Sequence, residues 1–338
     1  MARVTLSDVA ARADVDASTA SRALNNETSH LLSGDTVAKV SQAAEELGYT
    51  PNTIARSLRT SRTMTVGMLV PDIENPLFPP IVRGLEDELA NSGYAVVLAN
   101  TDDDPARERA ATQGLLARQL DGLAIASARS DHEATEWLDD PTLPLVFVNR
   151  MDATHDVPSV IADDAAGTDD LMDHLFELGH TKIAQISGPQ LYSASRVRFA
   201  GYKRGLRRHR EKLDRGRLVF ADSFSVAAGA KACQELLNRE VAFTAIFASD
   251  DLIAIGCMEA LRRAGIRVPE DVSIAGYNDL LLVDMLNPPL TTVSVPQYEM
   301  GVTAARLLLA RMTGTLGSDI HIKLQPALVA RDSTAAPA

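Results

Sequence analysis

The sequence has few of the features that mark secreted or membrane-bound proteins. Only two cysteines occur among the 338 residues, and both Cys233 and Cys257 stand in apolar, helix-like surroundings, so we expect reduced core residues rather than a disulfide. No apolar run reaches the roughly 18 residues that a transmembrane helix requires. The first residues, MARVTLSDVA, contain neither the apolar stretch nor the cleavage site of a signal peptide. We therefore expect a cytoplasmic protein.

Signatures of catalysis and of cofactor binding are missing as well. The sequence contains no GxGxxG motif, no Walker loop and no GxSxG motif. Its seven histidines are scattered, without the spacing of metal ligands. Paired acids such as Asp163 and Asp164 stand at predicted helix starts, where helix capping explains them. We predict a protein that is not an enzyme and that needs no cofactor or metal.

An excess of positive charge, which would attract nucleic acid, is also missing. The net charge is −12, which by itself argues against a nucleic-acid-binding protein. Residues 1–62 contain seven Lys or Arg and seven Asp or Glu, so the rest of the chain carries all of the −12. Arg56, Arg59 and Arg62 are bunched at the end of this neutral segment. Charge alone is mild evidence against a DNA-binding head.

Residues 5–25, TLSDVAARADVDASTASRALN, nevertheless have the pattern of a helix-turn-helix. Thr5 can cap the first helix, with Asp8 three residues later in the arrangement of a capping box. Asp14 stands at the turn, where Asp tolerates a left-handed backbone, and Asp16 can cap the second helix. Four residues of that helix can then face outward toward a major groove: Ala17, Ser18, Ser21 and Arg22. From this segment alone, an ordinary helical hairpin is the more common structure.

Two further segments extend this head. A third helix is predicted over residues 34–47, and Gly48 supplies its end. The following segment, YTPNTIARSLRTSRT, predicts a short helix that is marginal by itself. Leu58 between Arg56 and Arg59 is typical of a wedge inserted in a minor groove. The alternative is a plain linker whose Leu58 docks on the next domain.

From Thr65 onward, short apolar segments alternate with amphipathic ones, which indicates parallel sheets covered by helices on both faces. The helices are predicted over residues 77–92, 105–119, 131–139, 164–178, 193–209, 225–239 and 250–264. Two similar halves result, joined by a bridging segment, VPSVIADD. Ligands of such sheets lie beyond the carboxyl ends of the strands, so the cleft between the two lobes is the expected site. We expect the last helix and strand to return to the first lobe, and the final TAAPA to be disordered.

Taken together, these segments resemble the LacI/GalR family of transcriptional regulators. The motifs that carry the resemblance are TLSDVAARADV, ASTASRALN and LGYTPNTIARSLR, then LFELGHTKIAQISG, RFAGY, FASDDLIAIG, VPEDVSIAGYND and PPLTTV. They cover nearly the whole chain, in three independent regions. The resemblance implies an α/β protein with an N-terminal three-helix helix-turn-helix head and a hinge helix. A two-lobed, periplasmic-binding-protein-like core of doubly wound parallel sheets is expected to follow.

The expected division of the chain follows from this resemblance and from the segment pattern. We expect a DNA-binding head (residues 1–50), a hinge helix and linker (51–63), an N-terminal lobe (64–162 with 293–326), a C-terminal lobe (163–292) and a C-terminal tail (327–338).

The resemblance also assigns residues to DNA. It implies that Ala17, Ser18 and Arg22 read bases and that Leu58 is the minor-groove wedge; Arg22 can bond bidentately to a guanine. The other DNA-contacting or positioning residues that it implies are Ser7, Thr19, Ser21, Asn25, His30, Asn52 and Ala55. Because two acidic residues near the turn stand where the family usually has Gly-like and Ser-like residues, we expect a low non-specific affinity.

In the cleft, the resemblance points to a second set of residues, which would contact a small effector. They are Leu77, Phe78, Asn149, Arg198, Phe224, Ser249, Asn278 and Gln297. Phe78 or Phe224 could stack on the apolar face of a sugar, and Arg198 could donate charge-assisted hydrogen bonds to its hydroxyls. Asn278 stands where sugar-binding relatives often have Asp, and Arg150 leaves an acidic or phosphorylated ligand open. For each residue the alternative is a contact that only stabilises the domain.

These features predict a sequence-specific, DNA-binding transcriptional regulator, most simply a repressor, controlled by a small polar metabolite such as a sugar. It is expected to be a homodimer that binds a pseudo-palindromic double-stranded operator in the bacterial cytoplasm, on the nucleoid when bound, and no membrane. Control by a protein partner or by a phosphorylated or acidic metabolite is the alternative. A sugar-binding transport protein would share the core, but it would need an export signal and no head.

Overall fold

The computed structural model describes residues 4–24, 28–49, 62–129, 143–152, 157–315 and 320–338. The chain forms two compact units, Met1–Thr63 and Met64–Ala338. The predicted helix over residues 131–139 and the predicted hinge helix lie outside the described residues. Within the described ranges, no helix combines the length and the apolar character needed to cross a membrane.

Within its described residues, the first unit contains three α-helices, α1 (Leu6–Arg12), α2 (Ala17–Ala23) and α3 (Gly34–Leu47). Thr5 and Asp8 form the predicted capping box, in which the Thr5 N–H donates to Asp8 Oδ2 at 2.8 Å and the Asp8 N–H donates to Thr5 Oγ1 at 3.4 Å. The helices enclose a small, alanine-rich core: Val9, Ala10, Ala13, Ala20, Ala23, Val40, Ala43 and Ala44. Because these side chains are short, the three helices approach closely while the outer face of α2 remains exposed.

The second unit contains seven further helices within its described residues. They are α4 (Phe78–Asn91), α5 (Pro105–Leu116), α6 (Asp164–Glu177), α7 (Ser193–Arg208), α8 (Val226–Asn238), α9 (Asp251–Arg263) and α10 (Gln297–Met312). The starts of these helices could be predicted because each capping residue is close in sequence to the N–H group that it binds. The Asp104 side chain accepts hydrogen bonds from the N–H groups of Ala106 and Arg107, and the Ser225 side chain accepts one from the Ala228 N–H. The largest difference from prediction is at α5, which ends at Leu116 instead of residue 119.

Twelve strands are described in this unit. In chain order they are β1 (Thr65–Val70), β2 (Ala95–Asn100), β3 (Gly122–Ile125), β4 (Leu145–Val148), β5 (Ser159–Ala162), β6 (Ile183–Ser187), β7 (Leu218–Phe220), β8 (Ala245–Ala248), β9 (Ser273–Ala275), β10 (Thr292–Ser294), β11 (His321–Leu324) and β12 (Ala327–Val329). A first sheet has the order β11-β5-β4-β3-β1-β2 and a second the order β7-β6-β8-β9, and neighbours within each are parallel. The short strands β10 and β12 pair antiparallel.

The predicted return of the C-terminal helix and strand to the first lobe is confirmed. Helix α10 packs along α4, and β11 forms the edge of the first sheet beside β5. Gly84 and Gly301 make this helix contact possible, because a Cβ on either would collide with the backbone of the facing helix. The chain therefore passes from the first lobe to the second and back.

Two expectations about the chain's course are wrong. VPSVIADD is more than a bridge, because its residues Ser159–Ala162 form β5 between β4 and β11. The final TAAPA is ordered: the Ala335 N–H donates to Ser273 Oγ at 3.0 Å, and His180 Nε2 lies 2.8 Å from Ala335 O. Both segments have partners that are distant in the sequence, since β5 pairs with β11 as well as with β4 and Ala335 contacts His180.

Candidate functional site

The residues expected to face DNA lie on the outer side of the head where the structure describes them. Ser7, Ala17, Ser18, Arg22 and His30 are exposed, and Thr19 and Ser21 are partly exposed. Asn25, Asn52, Ala55 and Leu58 lie outside the described residues. Asp14 adopts a φ of 54°, which forms the turn that presents α2. The head thus presents an exposed stripe of small residues and one arginine to a groove of DNA.

Asp16 determines how two of these side chains are oriented. Its carboxylate accepts the Ser18 hydroxyl at 2.6 Å, the Thr19 hydroxyl at 2.7 Å and the Thr19 N–H at 2.9 Å. These donors hold the pKa of Asp16 far below its usual value. The Ser18 hydroxyl proton therefore points to Asp16. The lone pairs of the Ser18 oxygen face outward. The sequence predicted the cap but not this second effect.

Five of the eight predicted effector residues line one cavity between the two lobes: Leu77, Asn149, Arg198, Phe224 and Asn278. Five other residues complete its lining: Asn75, Arg150, Tyr192, Ala194 and Asp250. The free space inside it is about 20 Å³, which is room for about one water molecule. It lies where strands of both sheets end, which is the position expected for a ligand of parallel sheets.

The other three predicted residues lie behind this lining. Phe78 is 1% exposed, and its ring centroid is 5.8 Å from Arg150 Cζ. The Ser249 hydroxyl accepts the Gly188 N–H at 2.6 Å. Gln297 Nε2 donates to the Asn278 carbonyl at 2.8 Å. Each of these side chains supports a residue or loop at the cavity.

Arg198 is the centre of a buried hydrogen-bond network at the floor of the cavity. Its Nε donates to Asp164 Oδ1 at 2.9 Å, and its two terminal nitrogens donate to Ser249 O at 2.7 Å and to Asn278 Oδ1 at 3.0 Å. Asn278 in turn donates to Asp250 Oδ2 at 2.7 Å. Burial opposes the charge of the guanidinium, but Asp164 outweighs it and raises the pKa of Arg198. Three of the five N–H donors of Arg198 are thus engaged by the protein.

Arg150 is held on the opposite side of the cavity, among aromatic rings. Its Cζ lies 3.8 Å from the ring centroid of Tyr192 and 5.7 Å from that of Phe224. One terminal nitrogen donates to Asp103 Oδ1 at 2.8 Å. The strand-end rule that pointed to Asn149 could have found Tyr192 and Asp103 too, since they follow β6 and β2. Sequence reasoning noted Arg150 but missed both of its partners.

The charges of the site nearly cancel. The arginines Arg150 and Arg198 face three acids, Asp103, Asp164 and Asp250. Burial raises the pKa of Asp250 to about 6. Each of the two arginines is therefore paired with a carboxylate, and Asp250 adds a third acid to the lining.

Backbone strain is concentrated at the same strand ends. Six residues other than glycine have φ between 52° and 110° in the loops after β2, β4 and β9: Asp102, Asp103, Asn149, Asn278, Asp279 and Leu282. Asn and Asp tolerate such conformations better than other residues, whereas a leucine does so at a cost. Strained backbone that clusters around a cavity is typical of a binding site.

Comparison with known proteins agrees with these features. Residues 5–52 match the family of bacterial regulatory proteins of the lacI type, and residues 172–334 match the periplasmic binding protein-like domain. The chain is 34% identical to the HTH-type transcriptional repressor CytR of Escherichia coli (strain K12), over 98% of this chain and 96% of that protein. It is 33% identical to the ribose operon repressor of the same strain, over 97% of this chain and 99% of that protein.

A solved structure of the lac repressor dimer, bound to operator and the anti-inducer ONPF, is also similar. It is 30% identical in sequence and has a TM-score of 0.87, covering 99% of this chain and all of that chain. The likeness extends over both the head and the two-lobed core. The chain therefore belongs to the lacI family of bacterial regulatory proteins, which are DNA-binding transcriptional regulators and not enzymes.

Proposed function

We propose that the protein is a homodimeric repressor whose affinity for a pseudo-palindromic operator is controlled by a neutral, monosaccharide-sized carbohydrate bound between the two lobes. The observation that carries the proposal is the cavity in which aromatic rings, two arginines and asparagine side chains converge. Aromatic rings match the C–H face of a sugar, and Arg and Asn side chains match its hydroxyls. A site of this composition selects a polar, uncharged ligand.

Charge supports this ligand class. The two arginines are already matched by carboxylates, so a phosphate would bring charge that the site does not balance. The free space of the cavity is only about 20 Å³, so its side chains must move before a sugar can enter. Because the relatives include a ribose operon repressor, D-ribose is the first ligand to test.

The proposed contacts to DNA come from the head. Arg22 is exposed on α2 and can reach guanine in the major groove, with Ala17 and Ser18 beside it. Ser7, Thr19, Ser21, Asn25, His30, Asn52 and Ala55 would position the head, and Leu58 would enter the minor groove. We propose the hinge over residues 51–63 as the segment that folds on DNA.

The dimer would form through apolar residues of the core. Leu281 is 79% exposed and Met285 is 76% exposed, on a loop that begins beside the cavity. An apolar groove on the first lobe offers a second surface, lined by Val82, Val96 and Leu98 among others. A related repressor is a dimer on its operator.

We further propose that the N-terminal lobe comprises residues 64–162 with 293–326, the C-terminal lobe residues 163–292, and the tail residues 327–338. The protein would be located in the cytoplasm, on the nucleoid when it is bound to DNA.

Titration calorimetry on the full chain tests the ligand class, with D-ribose and its anionic counterpart D-ribose 5-phosphate. We expect one D-ribose per chain and weaker binding of the phosphate. Tighter binding of the phosphate would show that the charge argument is wrong. If neither compound nor a panel of neutral sugars binds, control by a protein partner becomes the better hypothesis.

Fluorescence anisotropy tests the regulatory step. Duplexes selected by the protein from a random-sequence pool supply the operator, and the sugar that binds in calorimetry is then added. We expect the apparent dissociation constant for the selected duplex to change, while that for a scrambled duplex stays the same. A sugar that binds without changing operator affinity would refute the proposed control.

A further inference from the structure

Arg150 occupies the aromatic part of the cleft in the free protein. Its side chain is only 5% exposed, and its planar guanidinium lies over Tyr192 at 3.8 Å, with Phe78 and Phe224 within 6 Å. A guanidinium stacked on an aromatic ring gains both dispersion and cation–π energy. The chain's own side chain thus fills the place against the rings that a sugar face would need.

The contact also joins the two lobes. Arg150 follows β4 of the first sheet, whereas Tyr192 and Phe224 belong to loops of the second. Beside it, the Met151 N–H donates to Ser193 Oγ at 3.2 Å, again from one lobe to the other. A ligand between two lobes normally supplies such contacts. Here the guanidinium of the chain's own Arg150 supplies them.

Asp103 holds the guanidinium in this position. It accepts an Arg150 N–H at 2.8 Å, and its own backbone is fixed on both sides. Its N–H donates to Pro71 O at 3.0 Å, and its carbonyl accepts a hydrogen bond from Arg129 Nη1 at 3.0 Å. The backbone that carries the acceptor is therefore held by two hydrogen bonds in the loop after β2.

We infer that Arg150 is an internal occupant of the effector site, held there by Asp103, and that the effector must displace it from the aromatic rings in order to bind. This inference rests on the proposed function of the cleft as the effector site. It identifies Asp103, which does not line the cavity, as a residue that sets effector affinity. The apparent dissociation constant is then the intrinsic one divided by the fraction of molecules in which Arg150 has left the rings.

The test compares Asp103→Asn with Asp102→Asn in the full chain. Both residues have nearly the same φ, 53° and 52°, and Asn tolerates that conformation. Both substitutions remove one negative charge, but Asp102 contacts Asn100 and Arg107 at the surface instead of Arg150. We expect Asp103→Asn to lower the dissociation constant for D-ribose about five- to tenfold, because a neutral amide holds the Arg150 guanidinium more weakly than the carboxylate does. Asp102→Asn should leave it within about twofold.

A second measurement needs no ligand. Phenylglyoxal modifies accessible arginines, and mass spectrometry of the peptide containing Arg150 gives its rate of labelling. We expect slow labelling of Arg150 in the wild type and in Asp102→Asn, and faster labelling in Asp103→Asn. Arg262, whose side chain is 74% exposed and whose partner Glu259 is unchanged in all three proteins, serves as the internal reference.

The two measurements separate the inference from the proposed function. Faster labelling of Arg150 in Asp103→Asn supports the internal occupant even if D-ribose fails to bind, in which case only the proposed ligand is wrong. Equal labelling of Arg150 in all three proteins overturns the inference. So does an unchanged or weaker affinity for D-ribose in Asp103→Asn, or the same gain in both variants.

Discussion

Glu108 gives the sharpest test of how the buried charges of the first lobe behave. It lies on α5, is 2% exposed, and accepts the hydroxyl of Ser127 at 2.9 Å. Burial raises the pKa of this carboxyl from 4.5 to about 7. Below pH 4.5 the side chain is neutral in both the folded and the unfolded chain, so it does not make stability depend on pH.

Stability should fall as the pH rises through this range. Between pH 4.5 and 7 the unfolded chain loses the proton of Glu108 while the folded chain keeps it, so the unfolded state is favoured increasingly. One pKa unit corresponds to about 1.4 kcal/mol. With the pKa at about 7, the loss is about 1.4 kcal/mol at pH 5.5 and about 3 kcal/mol at pH 8.

Glu108→Gln removes this loss and keeps the acceptor for Ser127. We expect the variant to be more stable than the wild type by about 1.4 kcal/mol at pH 5.5 and by about 3 kcal/mol at pH 8. Other buried acids, such as Asp251 with a pKa of about 7, are present in both proteins and cancel in the difference. Urea denaturation followed by circular dichroism at the two pH values gives the free energies of unfolding.

Glu86→Gln is the matched control, because Glu86 is an exposed residue of α4. It should change the free energy of unfolding by no more than about 0.5 kcal/mol at either pH. A gain in Glu108→Gln that is the same at pH 5.5 and pH 8 would refute the reasoning. A loss of stability at pH 8 would refute it too, since the ionised form would then be the favoured one.

Three other outcomes are expected. Arg22→Ala should weaken binding to the selected duplex by about 1–3 kcal/mol and relax the base preference at one position, measured by anisotropy on single-base variants. Arg198→Ala should lower the free energy of unfolding by about 3–5 kcal/mol, because Asp164 is left buried without a partner; Arg204→Ala, at the surface, is the control. His180→Ala should make the C-terminal residues more sensitive to carboxypeptidase than in the wild type, because the contact to Ala335 is lost.

The parts of the fold that were predictable are those whose determinants are local. The start of α5 follows from Asp104 and Pro105, and the end of α3 follows from Gly48, which has a φ of 62°. Alternation of apolar and amphipathic segments indicated parallel sheets. By contrast, β5 lies between β4 and β11, and its partner β11 comes some 160 residues later in the chain. No local pattern contains that information.

The candidate site likewise has features that could be predicted from the sequence and features that could not. Asn149 and Asn278 were proposed from the family resemblance, and both line the cavity where strands of the two sheets end. The hydrogen-bond partners of each side chain could not be predicted, because they depend on side-chain rotamers and on loops of the other lobe. Ser249 illustrates this, since its hydroxyl turns inward to Gly188 and away from the cavity. A residue type at a strand end predicts a place near the site, but not what its side chain contacts.

The arrangement of charges explains why a neutral ligand can act as a switch in this cleft. Each arginine of the site already has a carboxylate partner from its own lobe, Asp103 for Arg150 and Asp164 for Arg198. A sugar therefore gains little from charge and must instead replace the stacking of Arg150 on Tyr192, which is one of the contacts between the lobes. Binding of the sugar then replaces the contact made by Arg150 with a contact made by the ligand. The relative position of the two lobes changes only as far as these two contacts differ in geometry. A ligand that only added charge to the cleft, and left Arg150 on the rings, would have no such effect.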